Sequence, residues 1–110
     1  MSVTWMNRDI VAFETPRLHA KSLPLATGVT VPYVMQGEPL APWDVPLVFV
    51  HGLSDSWRSF EPVLRRMPDQ QAIALTQRGH GAATQPRLGY AATDFAADLV
   101  AFLNALRIPV

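Results

Sequence analysis

Residues 46–57 read PLVFVHGLSDSW, and residues 77–81 read QRGHG. The first stretch begins with an unbroken apolar run at 47–50, rich in β-branched and aromatic residues. Such a run predicts a central strand that is buried on both faces. The second stretch also follows a short apolar run, at residues 72–76. The residues that follow the two runs, after Val50 and after Thr76, are therefore predicted to be loops at the carboxyl ends of parallel strands, where α/β proteins bind their ligands.

The segment before residue 46 predicts an opening hairpin. Residues 17–23 and 29–35 each suit a short strand, and Pro24 and Gly28 lie between them. The hairpin is therefore placed within residues 17–37.

Two helices are predicted by apolar residues at spacings of three and four. The first covers residues 60–67, with Ser59 as its N-cap and Pro68 as its stop. The second covers residues 94–107 and is stopped by Pro109. With the hairpin and the two apolar runs, the order is strand, strand, strand, helix, strand, helix. This order predicts an α/β fold in one domain, with a sheet of about four to five strands.

Composition excludes several classes of function. Of the 110 residues, 49% are hydrophobic and 16% are charged, which suits a packed domain and excludes a disordered segment. Nine basic and nine acidic residues give no net charge, so neither nucleic acid nor a membrane surface is expected as a partner. The chain has no cysteine, which excludes disulfides and a thiol nucleophile. It shows no secretory signal pattern, so a cytoplasmic protein is expected.

At its two polar loops the chain resembles the N-terminal half of the α/β-hydrolase family. The third-strand motif of that family, which begins with His-Gly, is similar to residues 51–60. Residues 76–81 look like its Asp-x-Arg-Gly-x-Gly turn, although Thr76 replaces the usual Asp and is expected to weaken a structural hydrogen bond. Ala83 stands near a position where Ser is common. The resemblance covers roughly residues 27–110.

The resemblance implies a catalytic role for one backbone group. The family places an oxyanion-hole donor directly after His-Gly, which here is the N–H of Leu53. A backbone donor on a glycine-opened turn stabilises the negative oxygen of a tetrahedral intermediate without reorganising. The family attacks small-molecule substrates with Ser or Asp and needs no cofactor. Residues 79–84 only half-match a dinucleotide-binding pattern, and the spacing of the three histidines predicts no metal site.

Other side chains in these loops carry competing interpretations. His51 and His80 are predicted to be structural, because the family's catalytic base lies near the C-terminal end of its chains. Ser54 lies in a partial Gly-x-Ser-x-Gly pattern, but as a nucleophile it would precede the Arg-Gly-His-Gly turn, against the family's order. It is therefore predicted to be a polar loop residue. Trp57 and Phe60 suit either a pocket wall or packing between strand and helix, and the sequence leaves both open.

The chain stops at Val110, where the resemblance places the start of the nucleophile's strand. We therefore expect a fragment of the domain, truncated before that strand and inactive without nucleophile, acid and base. For the parent enzyme, a serine-type ester or related hydrolase is favoured over epoxide hydrolases and dehalogenases, which often have Pro where this chain has Ser54. The alternative is a non-enzymatic module that pairs with another chain or with itself through the open edge of strand 47–50.

Overall fold

The computed structural model describes residues 18–37 and 45–108. The described residues form four strands, a 3₁₀ turn and two α-helices. In chain order these are β1 (Lys21–Pro24), β2 (Thr30–Gln36), β3 (Leu47–Val50), the 3₁₀ turn Trp57–Phe60, α1 (Glu61–Arg66), β4 (Ala72–Leu75) and α2 (Ala92–Ala105). The opening hairpin is β1 and β2, and β3 has the predicted bounds.

The strands form one mixed sheet in the order β1-β2-β4-β3. β2 pairs antiparallel with both β1 and β4, whereas β3 and β4 are parallel. The predicted α/β architecture, a hairpin followed by parallel strands, is confirmed. β3 lies at the edge of the sheet that the described residues form and pairs with β4 alone, in agreement with the open edge expected for strand 47–50. Leu47 and Val50 at its ends are consequently 41% and 42% exposed.

The sheet is covered on both faces by apolar clusters. Alternation along β4 divides its side chains, so that Ile73 and Leu75 join one cluster while Ala72 and Ala74 join the other. All four are buried, which makes β4 the inner strand of the structure. On the first face, α2 contributes Phe102, which has no exposed surface. The second face is covered by the 3₁₀ turn and α1.

The first helical segment begins earlier than its sequence predicts. Ser56, and not Ser59, is the N-cap: its backbone is extended and its hydroxyl accepts the Arg58 N–H at 3.2 Å. The Ser59 hydroxyl instead donates to the Ser56 carbonyl. The reason is the 3₁₀ turn, which precedes the α-helix and moves the cap three residues towards the N-terminus. Val63, which lies three residues after Phe60 and so belongs to the apolar spacing that predicts this helix, is 44% exposed.

Helix α2 ends two residues before the predicted limit, in a Schellman motif. Arg107 adopts a left-handed backbone with φ of 60°. The Ile108 N–H donates to the Leu103 carbonyl at 2.8 Å, and the Arg107 N–H donates to the Asn104 carbonyl at 3.0 Å. These bonds satisfy the last carbonyls of the helix. Pro109, the predicted stop, lies outside the described residues.

Candidate active site

The two polar loops lie side by side because they leave parallel neighbouring strands. The last pair of the β3–β4 ladder is Val50 with Leu75. His51 and Thr76 therefore leave the sheet together, at its carboxyl edge. This is the arrangement that the sequence predicts for a ligand site.

His51 is a buried structural residue with both ring nitrogens engaged. Its Nε2 accepts the Gln77 backbone N–H at 2.9 Å, so the ring hydrogen must lie on Nδ1. Nδ1 in turn donates to the Gly52 carbonyl at 2.7 Å. The side chain is 5% exposed. No ring nitrogen is left to take a proton from a nucleophile, which agrees with the predicted structural role.

Gln77 contacts His51 a second time, through its side chain. The Gln77 amide nitrogen donates to the His51 backbone carbonyl at 2.8 Å. One residue of the β4 loop therefore holds both the ring and the backbone of the residue that follows β3. Sequence reasoning assigned Gln77 no role, and the available signal was its position directly after an apolar run.

Leu53 lies at the exposed tip of the turn after β3. Its side chain is 90% exposed. Among the hydrogen bonds between described residues, none uses the Leu53 N–H. The next residue, Ser54, has a left-handed backbone with φ of 66°, which is unfavourable for a residue with a Cβ. No hydrogen bond within 18–37 and 45–108 joins the Ser54 hydroxyl to an imidazole ring.

Thr76 anchors the start of the 3₁₀ turn. Its hydroxyl accepts the Trp57 N–H at 3.0 Å, and Thr76 is 1% exposed. Thr76 therefore still supplies a hydrogen-bond acceptor at the position where the family has Asp, since a hydroxyl oxygen accepts. Trp57 is buried with Leu64 in the second cluster, and Phe60 packs against Phe49 with ring centroids 5.0 Å apart. Both aromatic residues therefore serve in packing.

A buried ion pair fixes the loop after β4 to helix α2. Arg78 Nε donates to Asp98 Oδ2 at 2.6 Å, and Arg78 Nη2 donates to Oδ1 at 2.8 Å. The Thr27 hydroxyl donates to the same carboxylate at 2.7 Å, and Arg78 Nη1 donates to the Gly89 carbonyl at 2.8 Å. Burial alone would raise the pKa of Asp98, but the hydrogen bonds from Arg78 and Thr27 and the Arg78 charge outweigh it and lower that pKa. The hydrogen bond to Asp98 raises the pKa of Arg78.

His80 belongs to a row of rings beside the turn. Its Nδ1 donates to the Arg78 carbonyl at 2.9 Å. Its ring meets the His51 ring edge-on at a centroid distance of 4.8 Å and lies 6.4 Å from that of Phe95. His80 therefore connects the His51 ring with the backbone of Arg78 and with Phe95 of α2.

The rest of the β4 loop is tied down by its own hydrogen bonds. The Thr84 N–H donates to the Thr30 carbonyl at 3.0 Å, and the Thr30 N–H donates to the Thr84 hydroxyl at 2.8 Å. The Tyr90 hydroxyl donates to the Pro86 carbonyl at 2.6 Å. Gly79, with φ of 77°, lies directly beneath the Tyr90 ring. These contacts fix the loop that follows β4 against β2 and against itself.

A model of the alpha/beta hydrolase family matches residues 47–110, which is more than half of the chain. The chain belongs to the α/β-hydrolase family. Over 61 residues it is 38% identical to the 2-(acetamidomethylene)succinate hydrolase of Mesorhizobium japonicum, a match that covers 54% of this chain and 22% of that protein. The match therefore spans less than a quarter of the length of that curated relative.

Solved structures of α/β-hydrolases share the fold. The crystal structure of E-2-(acetamidomethylene)succinate hydrolase has a TM-score of 0.72 at 27% identity, over 83% of this chain and 32% of that one. Epoxide hydrolases from metagenomes of hot environments give a TM-score of 0.71 at 26% identity, over 84% and 31%. A haloalkane dehalogenase from Agrobacterium tumefaciens C58 gives 0.72 at 23% identity, over 83% and 30%, and shows the fold alone.

The α/β-hydrolase motifs account for part of this site. The structure brings together His51 and His80, which the sequence singled out, with Gln77, which it did not. Leu53 follows His51 by two residues, and Asp98 is joined to the β4 loop through Arg78. Asp98 lies four residues before Phe102 and therefore on the buried side of α2. An acidic residue at such a position indicates a buried partner of opposite charge, and this spacing was visible in the sequence. Within 18–37 and 45–108, His, Cys, Asp and Glu side chains form no group of three or more that could hold a metal ion. None of the helices described there is long and apolar enough to span a bilayer.

Proposed function

We propose that this chain carries the oxyanion-binding side of a hydrolase that cleaves an ester or a related carbonyl bond. The observation that supports this is the Leu53 N–H, which no other described group engages, at an exposed turn on the carboxyl edge of the sheet. A donor fixed in place before the reaction stabilises the developing negative oxygen without reorganisation. Removing one such donor lowers kcat roughly 10²- to 10³-fold.

The proposed division of labour assigns nucleophile, acid and base to other segments of the parent enzyme. His51 has no free ring nitrogen, and Ser54 has no hydrogen bond to an imidazole within the described ranges. A serine hydroxyl without an adjacent base is a weak nucleophile. Residues 1–110 alone are therefore proposed to have no hydrolase activity, and the chemistry requires no cofactor.

A carbonyl substrate is favoured over an epoxide or a haloalkane. One relative that matches by sequence is named 2-(acetamidomethylene)succinate hydrolase. Attack on a carbonyl carbon produces an oxyanion, which is the species that the Leu53 N–H suits. Ser54 also differs from the Pro that is common at this position in epoxide hydrolases and dehalogenases.

Proline and alanine at position 53 give a matched test, because only proline lacks the backbone N–H. The parent enzyme, expressed from the complete coding sequence, is assayed on p-nitrophenyl esters and on epoxides. Leu53→Pro is expected to lower ester kcat roughly 10²-fold or more, while Leu53→Ala, at a side chain that is 90% exposed, stays within about threefold. Circular dichroism checks that both variants are folded. Equal activity of the two variants would refute the donor role, and turnover of epoxides alone would refute the substrate class.

The unpaired edge of β3 supports a second candidate, pairing with another chain. Among the described strands β3 bonds to β4 alone, and the half-exposed Leu47 and Val50 flank its open side. Light scattering of residues 1–110 over a concentration series tests it. A monomer at every concentration would exclude self-pairing.

A further inference from the structure

We infer that Gln77 is a positioning residue that sets the direction of the Leu53 N–H through His51. The inference deepens the proposed function, since the direction of that N–H matters to catalysis only if it binds the oxyanion. Gln77 touches no reacting atom in this proposal. It acts through two hydrogen bonds to one neighbouring residue.

The first step is how Gln77 holds His51. The ladder between β3 and β4 ends at Val50 and Leu75, so His51 has no ladder partner. The Gln77 amide donates to the His51 carbonyl and the Gln77 backbone N–H donates to the His51 ring, at 2.8 and 2.9 Å. Two bonds to one residue fix both its position and the orientation of its ring.

The second step is how His51 holds the next peptide. Because Nε2 accepts from Gln77, Nδ1 carries the hydrogen and donates to the Gly52 carbonyl. The described residues contain no cis peptide bond. In the trans peptide between Gly52 and Leu53, the C=O and the N–H therefore lie in the same plane and point in opposite directions. With the carbonyl drawn to the buried ring, the N–H must point away from that ring.

Gly52 makes few other contacts that could fix its backbone. No neighbouring atom lies within 4 Å of the place where a Gly52 Cβ would be. The space on that side of Gly52 is therefore open, and glycine by itself restricts the backbone weakly. Among the hydrogen bonds between described residues, the one from His51 is the bond that restrains the Gly52–Leu53 peptide.

The test uses Gln77→Met, which removes the side-chain donor but keeps the length and the backbone N–H, and Gln77→Glu, which keeps the shape. Gln85→Met is the matched control, since Gln85 is exposed in the same loop. In ¹⁵N-labelled chain, NMR reports the His51 ring tautomer and the Leu53 amide signal. In the parent enzyme, ester kinetics report kcat and KM.

Both Gln77 variants are expected to shift the Leu53 amide signal and to lower kcat on the order of 10-fold, with KM changed less than twofold. Gln85→Met should change neither. A folded Gln77→Met with an unchanged Leu53 signal overturns the inference. A shifted signal with unchanged kcat leaves the positioning intact and overturns the oxyanion role. If both variants unfold, the tautomer of the His51 ring in the wild-type chain is measured by NMR instead. An Nε2–H tautomer overturns the inference, and an Nδ1–H tautomer supports it.

Discussion

Asp98→Asn should strongly destabilise the fold. Asp98 is only 3% exposed. Its carboxylate accepts two hydrogen bonds from Arg78 and one from Thr27. Asparagine has nearly the same shape, but it carries no charge and turns an NH₂ group towards these donors. Arg78, itself 7% exposed, is then left as a buried cation without its anion.

The expected magnitude follows from this burial. Removing one partner of a buried ion pair costs about 3–5 kcal/mol, out of the roughly 5–15 kcal/mol that stabilise a domain. At about 4–8 °C per kcal/mol for a small domain, the melting temperature should fall by more than about 10 °C. Asp69→Asn is the matched control: Asp69 is exposed, and its replacement should change stability by less than about 0.5 kcal/mol.

The pH dependence of stability gives a second signature of Asp98. Its folded-state pKa lies below its ordinary value, because the bonds from Arg78 and Thr27 outweigh burial. A carboxyl of this kind stabilises the fold fully above its unfolded pKa of about 3.9, and the contribution is lost as pH falls through the folded pKa. The difference in the free energy of unfolding between wild type and Asp98→Asn should therefore be constant above about pH 5 and become smaller only in stronger acid.

Urea unfolding followed by tryptophan fluorescence measures these free energies. The double variant Arg78→Met/Asp98→Leu leaves no buried charge and should be more stable than Asp98→Asn. A loss below about 1 kcal/mol for Asp98→Asn, or a loss equal to that of Asp69→Asn, would refute the reasoning. A difference in the free energy of unfolding that grows in acid would contradict the lowered pKa of Asp98.

Three further substitutions test single contacts. Phe102→Ala, at a side chain with no exposed surface, should lose about 3–5 kcal/mol in urea unfolding, and a loss under 1 kcal/mol would contradict the assigned core. Thr76→Val, which removes the acceptor of the Trp57 N–H, should lose about 1–3 kcal/mol by thermal melting, whereas Thr76→Ser keeps the hydroxyl and should lose less. Gly79→Ala, with φ of 77° and a Cβ 2.5 Å from the Tyr90 ring, should lower the melting temperature, and Tyr90→Ala should relieve part of that loss.

Features that depend on local pattern were predictable from the sequence, and features that depend on the path of the chain were not. β3 has its predicted bounds because an apolar β-branched run has few alternatives. The helix start was misplaced because Ser56 and Ser59 are both good caps, and only the 3₁₀ turn distinguishes them. Asp98 and Gln77 were missed for another reason. Their partners lie 20 and 26 residues away, so their roles exist only once the strand ends and α2 are placed.

The placement of β3 explains why side chains must complete the site. In the described part of the chain, β3 receives ladder hydrogen bonds from one side only, and the ladder stops before the turn begins. A turn that continues such a strand inherits little rigidity from the sheet, yet the oxyanion donor that we propose in this turn must be fixed in place before the reaction. β4, buried on both faces, can supply that rigidity through Gln77 and Thr76 directly after it. We therefore infer that the two motifs act as one unit, in which the second holds the first. Under the proposed function, damage to the second motif should reduce activity without any contact to substrate.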